Sequence, residues 1–301
     1  MVFLGADFVT YKYSIYLPGE KMPKTNNPLA QFFRQPAIYI RLPSGGHGWP
    51  AGTLNLPPNG ELPVLPMTAI DEITYRTPDA LFNGEAVVSV IQSCVPNIRD
   101  AWAVPVTDLD SILVAIRIAS YGHAMEIDTA CPACKEEALF GLDLRTVMDR
   151  LKSADYSKPL AVGDLTFYFR PLDYRQITDN SLVQFEQQKT MQMVSDADAS
   201  QQDKVSQLNR MMRQLVDATV TVLAQSIMEI RTSNAHITEH EHILEYMQNC
   251  DRSVFSQIRD YAVALREASE LKPLNITCPS CQNKYEQAFT LDTARFFESA
   301  S

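Results

Sequence analysis

Two short cysteine motifs are the part of the sequence best suited to bind a metal ion. Cys131 and Cys134 lie in the segment CPACKEEALFGLDL, and Cys278 and Cys281 lie in the similar segment CPSCQNKYEQAFTLD. Each motif reads as a tight knuckle that leads into a returning strand. Four thiolates suit a tetrahedral zinc site in which no position is left for water. The sequence therefore predicts that Cys131, Cys134, Cys278 and Cys281 bind one structural Zn²⁺ ion.

The separation of the two motifs along the chain is unusual. Cys134 and Cys278 have 143 residues between them, so a shared ion would join distant parts of the chain. The intervening residues would then be an insertion into a split zinc ribbon. Two alternatives stay open, namely disulfide or redox chemistry at each pair, and inert thiols. A thioredoxin-like centre needs a helix directly after the pair, whereas a polar, strand-like segment follows Cys134.

Composition and charge restrict the classes of function. The chain has 301 residues, 46% of them hydrophobic, which allows one large domain or two smaller ones with a substantial core. The formal net charge is −10, which opposes general nucleic-acid binding and docking on an anionic membrane. No signal peptide is visible after Met1, and no stretch approaches the roughly 18 apolar residues of a membrane span. Cys94 and Cys250 are predicted to be buried thiols, and a reducing compartment is favoured.

No other group of residues forms a catalytic motif. The sequence contains no phosphate-binding loop, dinucleotide fingerprint or nucleophile elbow. The glycine-rich segment 45–48 is interpreted as a turn. The adjacent carboxylates Asp71 and Glu72 are interpreted as surface residues, because no histidine or nucleophile is placed to join them. We therefore predict no catalytic residue and no enzymatic activity.

Three histidines near residue 240 resemble a metal motif only superficially. His236 and His240 have the i, i+4 spacing of some zinc-binding helices. However, Thr238 and Glu241 read as a capping box, which places His236 before the helix. His240 and His242 are then interpreted as part of a solvated first turn.

The first 70 residues differ in composition from the rest of the chain. They contain ten of the 18 prolines, and proline removes amide donors and fixes φ, so this stretch is not mainly helical. It also contains the apolar runs 9–17 and 37–42. We interpret residues 1–70 as an extended, proline-rich arm that packs on its own body or on a neighbouring subunit.

The remaining sequence predicts helices on both sides of the first cysteine motif. A helix is predicted to begin at Thr77 and Pro78 and to run to Cys94. A second is predicted from Thr107, with Asp110 in a capping position, to Gly122. The patterns further predict a short helix at 145–154 and a strand at 165–172.

Residues 174–272 are predicted to be helical almost throughout, with a turn at 195–203 and an end before Pro273. The predicted fold class is α+β, a mainly helical body with a split zinc ribbon and an extended arm. Four regions follow from these patterns. They are the arm (1–70), a region with helices, first knuckle and short strands (71–177), an inserted long-helix region (178–272), and the second knuckle with the tail (273–301).

The order of several segments resembles a known family. The segments are LPSGG (42–46), GELPVLPMTAIDE (60–72), DALFNG (79–84), IRIASYG (116–122) and FRPLDYRQ (169–176), with the first knuckle before the last of them. This order is similar to that of the baseplate hub family of contractile-tailed phages of the T-even type, over about residues 38–180 and at the second knuckle.

The resemblance implies a non-enzymatic structural or assembly component of a phage tail baseplate. It implies contacts with other baseplate and tail subunits in a multi-copy assembly, and a location in the virion after assembly in the host cytoplasm. It carries over no catalytic residue. Two other classes of function stay open, a zinc-ribbon adaptor that binds nucleic acid and a tail-associated cell-wall hydrolase.

Overall fold

The computed structural model describes residues 27–77, 83–196, 201–288, 296 and 297. The chain divides into two compact units, Met1–Gln35 and Pro36–Ser301. In the first unit, a 3₁₀ helix spans Pro28–Phe32, and its Leu29 amide donates to the Asn27 side chain at 2.9 Å. The apolar run 9–17 lies outside the described residues.

The described part of the second unit has an α+β architecture. Its helices are α1 (Ala69–Tyr75), α2 (Glu85–Cys94), α3 (Val106–Tyr121), α4 (Leu144–Met148), α5 (Tyr174–Asp196), α6 (Gln201–Ser226), α7 (His240–Asn249) and α8 (Arg252–Ser269), with a 3₁₀ turn at Ala101–Ala103. Its strands are β1 (Ile38–Ile40), β2 (Leu62–Val64), β3 (Ala124–Ala130), β4 (Glu137–Asp143), β5 (Leu160–Val162), β6 (Leu165–Phe169), β7 (Ile227–Arg231), β8 (His236–Ile237), β9 (Leu274–Thr277) and β10 (Lys284–Gln287).

The strands form three two-stranded antiparallel sheets and one sheet of four strands. The pairs are β1 with β2, β3 with β4, and β9 with β10, and the larger sheet has the order β5-β6-β7-β8. All of its described neighbours run antiparallel. The two sheets β3–β4 and β9–β10 are the hairpins that present the cysteine motifs.

A first hydrophobic core surrounds α2 and α3. The centre of α3 is buried on nearly every side, with Ile112, Leu113 and Ile116 almost fully inaccessible. Strands β1 and β2 add Ile40 and Leu62 to this core. Of the two alternatives for the run 37–42, packing on the protein's own body therefore holds for Ile40 and Leu42, since both are buried there.

A second hydrophobic core lies between the four-stranded sheet and helices α6, α7 and α8. Phe167 and Ile230, which pair across β6 and β7, face this core, and Ile243 and Ile258 close it from α7 and α8. The Ala154 amide donates to the Ser269 hydroxyl at 2.9 Å. The chain thus enters and leaves the second core at neighbouring points.

The segment 172–178 joins the two cores. The Val106 amide donates to the Leu172 carbonyl, and the Tyr174 ring stacks on Trp102 at 5.6 Å between centroids. Gly84, with φ of 80°, allows close approach here, because a Cβ at this position would lie 3.1 Å from the Thr178 hydroxyl. The start of α5 is therefore anchored on the first core.

Several predicted boundaries differ from the structure because tertiary contacts set them. Helix α3 begins at Val106 with Pro105 as its N-cap residue, and Thr107 is buried inside the helix. The contact of Val106 with Leu172 fixes this start. Helix α2 begins at Glu85 after Gly84, so the prediction of one helix from Thr77 and Pro78 to Cys94 is wrong at residues 83 and 84, while Pro78 itself lies outside the described residues. The predicted short helix and strand end earlier, at Met148 and Phe169.

The prediction that residues 174–272 are helical almost throughout is wrong at β7 and β8. Residues 227–231 pair with β6, and Ile227 and Ile230 face the second core. The partner strand is about 60 residues away along the chain, so no local pattern shows the pairing. The predicted Thr238–Glu241 capping box is also wrong, because α7 begins at His240 after Glu239.

Asp110 on α3 gives the fold a measurable pH dependence. Burial raises the pKa of this carboxyl from 3.8 to about 6. Between these values the folded state binds more protons than the unfolded state, so the contribution of Asp110 to stability falls as pH rises through that window. The penalty at pH 7 is about 3 kcal/mol.

We expect Asp110→Asn to increase the free energy of unfolding at pH 7.5 by up to about 3 kcal/mol. The gain should shrink as pH falls from 6 to below 4, where both states hold the proton. Urea unfolding of the variant and the natural protein across this range is the measurement. A gain that does not change with pH would contradict the prediction.

Candidate metal centre

The first cysteine motif forms the tip of the β3–β4 hairpin. Ala130 pairs with Glu137, and the turn between them contains both cysteines. The Lys135 amide donates to the Cys131 carbonyl at 2.9 Å, and the Cys131 amide donates to the Glu136 carbonyl at 2.9 Å. Lys135 has a φ of 62°, a left-handed conformation that closes the knuckle.

The second motif repeats this geometry at the tip of β9–β10. Thr277 pairs with Lys284, which encloses the same number of residues. The Gln282 amide donates to the Cys278 carbonyl at 3.0 Å, and the Cys278 amide donates to the Asn283 carbonyl at 2.9 Å. Gln282 has a φ of 60°. The matching sequences therefore fold into matching backbone turns.

The fold brings the two knuckles together. The Sγ atoms of Cys131, Cys134, Cys278 and Cys281 all lie within 4.8 Å of one another. The Cys131–Cys281 distance is 3.6 Å and the Cys134–Cys278 distance is 3.7 Å. A tetrahedral zinc site with Zn–S bonds of about 2.3 Å has an S···S edge of about 3.8 Å, whereas a disulfide needs about 2.05 Å. The arrangement fits a four-coordinate metal ion.

The environment of the thiols also suits a metal. Cys131 and Cys278 are buried, at 1% and 2% exposure, while Cys134 and Cys281 face solvent. The backbone amides of Cys134 and Ala133 lower the pKa of the Cys131 thiol. The hydrogen bond from the Glu136 amide lowers the pKa of the Cys134 thiol, but the neighbouring thiols outweigh it, so this pKa is raised. The thiolate is the form that binds metals. One side of the cluster thus rests on the protein interior and the other is open for entry of an ion.

Each hairpin is fixed to the first core by its inward side chains. Leu142 from β4 and Leu274 and Ile276 from β9 are buried in this core. A strand, not a helix, follows each cysteine pair. This order does not match the strand-pair-helix arrangement of thioredoxin-like centres, which favours metal binding over redox chemistry.

The glycine-rich segment 45–48 forms a turn that is held by a buried carboxylate, Asp108. Asp108 is fully buried and accepts hydrogen bonds from the Ser44 amide at 2.9 Å, the Ser44 hydroxyl at 2.5 Å and the Trp49 indole at 2.7 Å. Sequence reasoning missed this residue. Its acidic side chain at the start of the apolar run of α3 was the available indication, since buried charges need partners.

The carboxylates Asp71 and Glu72 do not form a catalytic pair. Asp71 is buried, contrary to the prediction of a surface role. It forms a capping box with Thr68, and its carboxylate also accepts a hydrogen bond from the Ser93 hydroxyl at 3.1 Å. Glu72 accepts a hydrogen bond from the Tyr121 hydroxyl at 2.8 Å. Both carboxylates hold α1 against its neighbours.

The histidines His236 and His240 are not part of the cysteine cluster. His236 lies on β8, where its Nδ1 atom is 2.6 Å from Glu229, and Glu229 also binds Arg231 at 2.7 Å. His240 begins α7 and is exposed. Within the described residues, the four cysteines are the group found with metal-binding geometry.

A family model described as T4 bacteriophage base plate protein matches residues 67–298. The match covers more than half of the chain, including both cysteine knuckles, the second core and most of the first core, and the chain belongs to this family. No curated protein and no solved structure matches the chain. Among the described helices, none combines the length and apolar character that crossing a bilayer requires.

Family membership indicates a structural component of the phage baseplate that associates with other tail components. It also indicates a location in the virion tail and favours a non-enzymatic role.

Proposed function

We propose that this protein is a structural or assembly component of the baseplate hub and that its four clustered cysteines bind one structural zinc ion. The observation that carries the zinc proposal is the cluster of Sγ atoms within 4.8 Å on two matching knuckles. The hub assignment is supported by the resemblance of the ordered segments to the hub family. The proposed division of the chain is an extended arm (1–70), a region with helices, the first knuckle and short strands (71–177), an inserted long-helix region (178–272), and the second knuckle with the tail (273–301).

Zinc in this position joins two hairpins that flank the second core along the chain. Cys131 and Cys134 precede that core, and Cys278 and Cys281 follow it. A bound ion therefore fixes the ends of an insertion and limits the freedom of the helices between them. Because thiolates fill all four positions, the ion has a structural and not a catalytic role.

The two other classes of function have less support. Binding of nucleic acid would need a basic surface, and the net charge is −10. A cell-wall hydrolase would need paired carboxylates in a cleft or a metal with an open position. Asp71 and Glu72 are instead engaged in structural hydrogen bonds. We therefore propose a non-enzymatic protein that binds other tail subunits, in several copies, and neither nucleic acid nor membrane.

A mass-spectrometric inventory of purified virions and of assembly intermediates from infected cells tests this proposal. A fixed copy number in the virion together with hub proteins supports a structural component. Presence only in hub intermediates supports an assembly factor. Absence from both preparations would overturn the proposed function.

Single alanine substitutions of His236 and His240 should leave infectivity within a few-fold of normal, because neither side chain belongs to the metal centre. Plaque counts after complementation with each variant provide the measurement. Complete loss of infectivity in particles that assemble normally would reveal a chemical role. Cys134→Ala serves as the positive control for a loss of structure.

A further inference from the structure

The outer face of the β3–β4 hairpin combines carboxylates with an exposed leucine, a combination that the fold itself does not require. Strand alternation places Glu126, Asp128, Glu137 and Leu139 on this face, away from the first core. Leu139 is 65% exposed and pairs directly with Asp128. Small residues complete the face, namely Ala124, Ala130 and Gly141. Leu139 is thus the one large apolar side chain on a face made of small and acidic residues.

The carboxylates in the middle of this face are not engaged in ion pairs with other described residues. Within the described part of the chain, Glu126, Asp128 and Glu137 form no ion pair. Asp143, at the end of the same face, is paired with Arg145 at 2.6 Å. These three negative charges, one in each of three neighbouring cross-strand pairs on the same face, repel one another. A partner with positive charges would relieve this repulsion.

The second hairpin provides an internal comparison. When the two sequences are aligned at their cysteines, the residues Asn275, Lys284 and Glu286 of β9–β10 correspond to Asp128, Glu137 and Leu139 of β3–β4, in that order. The equivalent face therefore has polar side chains with both signs of charge. The same knuckle and hairpin geometry forms with those residues, so the acidic, leucine-bearing face of β3–β4 is not needed to build the zinc site.

We propose that the outer face of β3–β4 is a docking surface for another baseplate subunit, one that presents an apolar recess for Leu139 with lysine or arginine residues around it. The leucine supplies the apolar contact, and the carboxylates supply orientation and specificity. The proposal rests on the baseplate association in the proposed function, but it depends neither on the hub assignment nor on the identity of the metal.

A second copy of this chain fits the surface poorly. A two-fold contact would place the same acidic face on both partners, so that carboxylates would oppose carboxylates. Nucleic acid has the same sign of charge as this face and is disfavoured for the same reason. Charge complementarity therefore selects a different, cationic protein surface.

The test exchanges the face of the first hairpin for that of the second. The triple variant Asp128→Asn, Glu137→Lys, Leu139→Glu contains residue types that the equivalent positions of β9–β10 already accept. We expect normal zinc content and thermal unfolding, but a decrease of about tenfold or more in the amount that co-sediments with baseplates in complementation, which corresponds to about 1.4 kcal/mol. The matched control is Asn275→Asp on the second hairpin, which should incorporate normally.

Photocross-linking identifies the partner surface directly. With p-benzoylphenylalanine at position 139, irradiation of particles or assembly intermediates should give a cross-link to another tail protein, beside lysine or arginine residues. The same probe at position 286 should not cross-link to that site. Reversing the charge of the identified cations should restore incorporation of Glu137→Lys.

Normal incorporation of the triple variant would overturn the inference while leaving the proposed function intact. A cross-link from position 139 to another copy of this chain, or to nucleic acid, would also overturn it. Absence of the unmodified protein from particles and intermediates alike would overturn the proposed function and this inference together.

Discussion

The Cys278→Ser variant is expected to lose binding of the proposed zinc ion and to loosen the β9–β10 hairpin. In the proposed site each of the four thiolates provides one tetrahedral ligand, and the Sγ atom of Cys278 lies 3.7 Å from that of Cys134. Replacing one thiolate by a hydroxyl leaves three ligands and an open position, which weakens a structural site. Elemental analysis should find about one zinc per chain in the natural protein and far less in the variant.

The cost of this loss should be large but smaller than in a zinc-finger peptide. Structural zinc contributes on the order of 10 kcal/mol where the metal alone organises the fold. Here Leu274 and Ile276 remain in the first core, so the hairpin keeps an apolar attachment. We expect a decrease of about 3–5 kcal/mol in the free energy of unfolding. Hydrogen exchange should accelerate in β9 and β10 while α2 and α3 stay protected.

Cys250→Ser is the matched control, because the Cys250 thiol lies outside the cluster. Among the described residues, this thiol donates a hydrogen bond to the Met247 carbonyl at 3.6 Å. The variant should retain the full zinc content. Two disulfides in the unreduced, purified protein, or unchanged zinc in Cys278→Ser, would contradict the assignment of these four cysteines.

The knuckles were predictable because their information is local. A Cys-Pro-x-Cys turn followed by a strand is specified within about ten residues, and each motif formed the expected turn. The matching flanks indicated that the two motifs have the same structure. The close approach of the motifs across 143 residues was an inference from ligand chemistry and not from any local pattern.

The four-stranded sheet was not predictable in the same way. The strand β7 follows α6 without a proline or glycine, and its residues IMEIR also fit the last turns of a helix. Pairing with β6 across the inserted helices decides its structure. Ile227 and Ile230 gain burial in the second core by this pairing. Tertiary burial here overrides the local preference.

The start of α3 shows a related effect at smaller scale. Thr107 and Asp110 match a capping pattern, yet Pro105 and Val106 begin the helix because they contact Leu172 and Asp173. Asp108 is hidden in the same helix, and its partners Ser44 and Trp49 are about 60 residues away. Contacts of this range are absent from any short window of sequence.

Asp108→Ala should be among the most destabilising substitutions outside the metal centre. The carboxylate is fully buried and accepts three hydrogen bonds, from the Ser44 amide, the Ser44 hydroxyl and the Trp49 indole. Burial raises the pKa of Asp108, while the bonds from Ser44 and Trp49 lower it, with a net increase. Removing the acceptor leaves these donors without partners inside the protein, at a cost of about 3–5 kcal/mol.

The comparison with the neighbouring Asp110 makes this prediction specific. Both carboxyls lie on α3 and both have raised pKa values, but they should respond to substitution with opposite signs. Asp108→Asn should destabilise the protein, since its amide group offers a donor where only acceptors fit. Asp110→Asn should stabilise it at neutral pH, since burial is the cause of its raised pKa. Urea unfolding followed by the fluorescence of Trp49 and Trp102 measures both changes. If Asp108→Asn were as stable as the natural protein, the turn at 45–48 would not depend on this carboxylate, and the buried hydrogen bonds would have no role in holding it on α3.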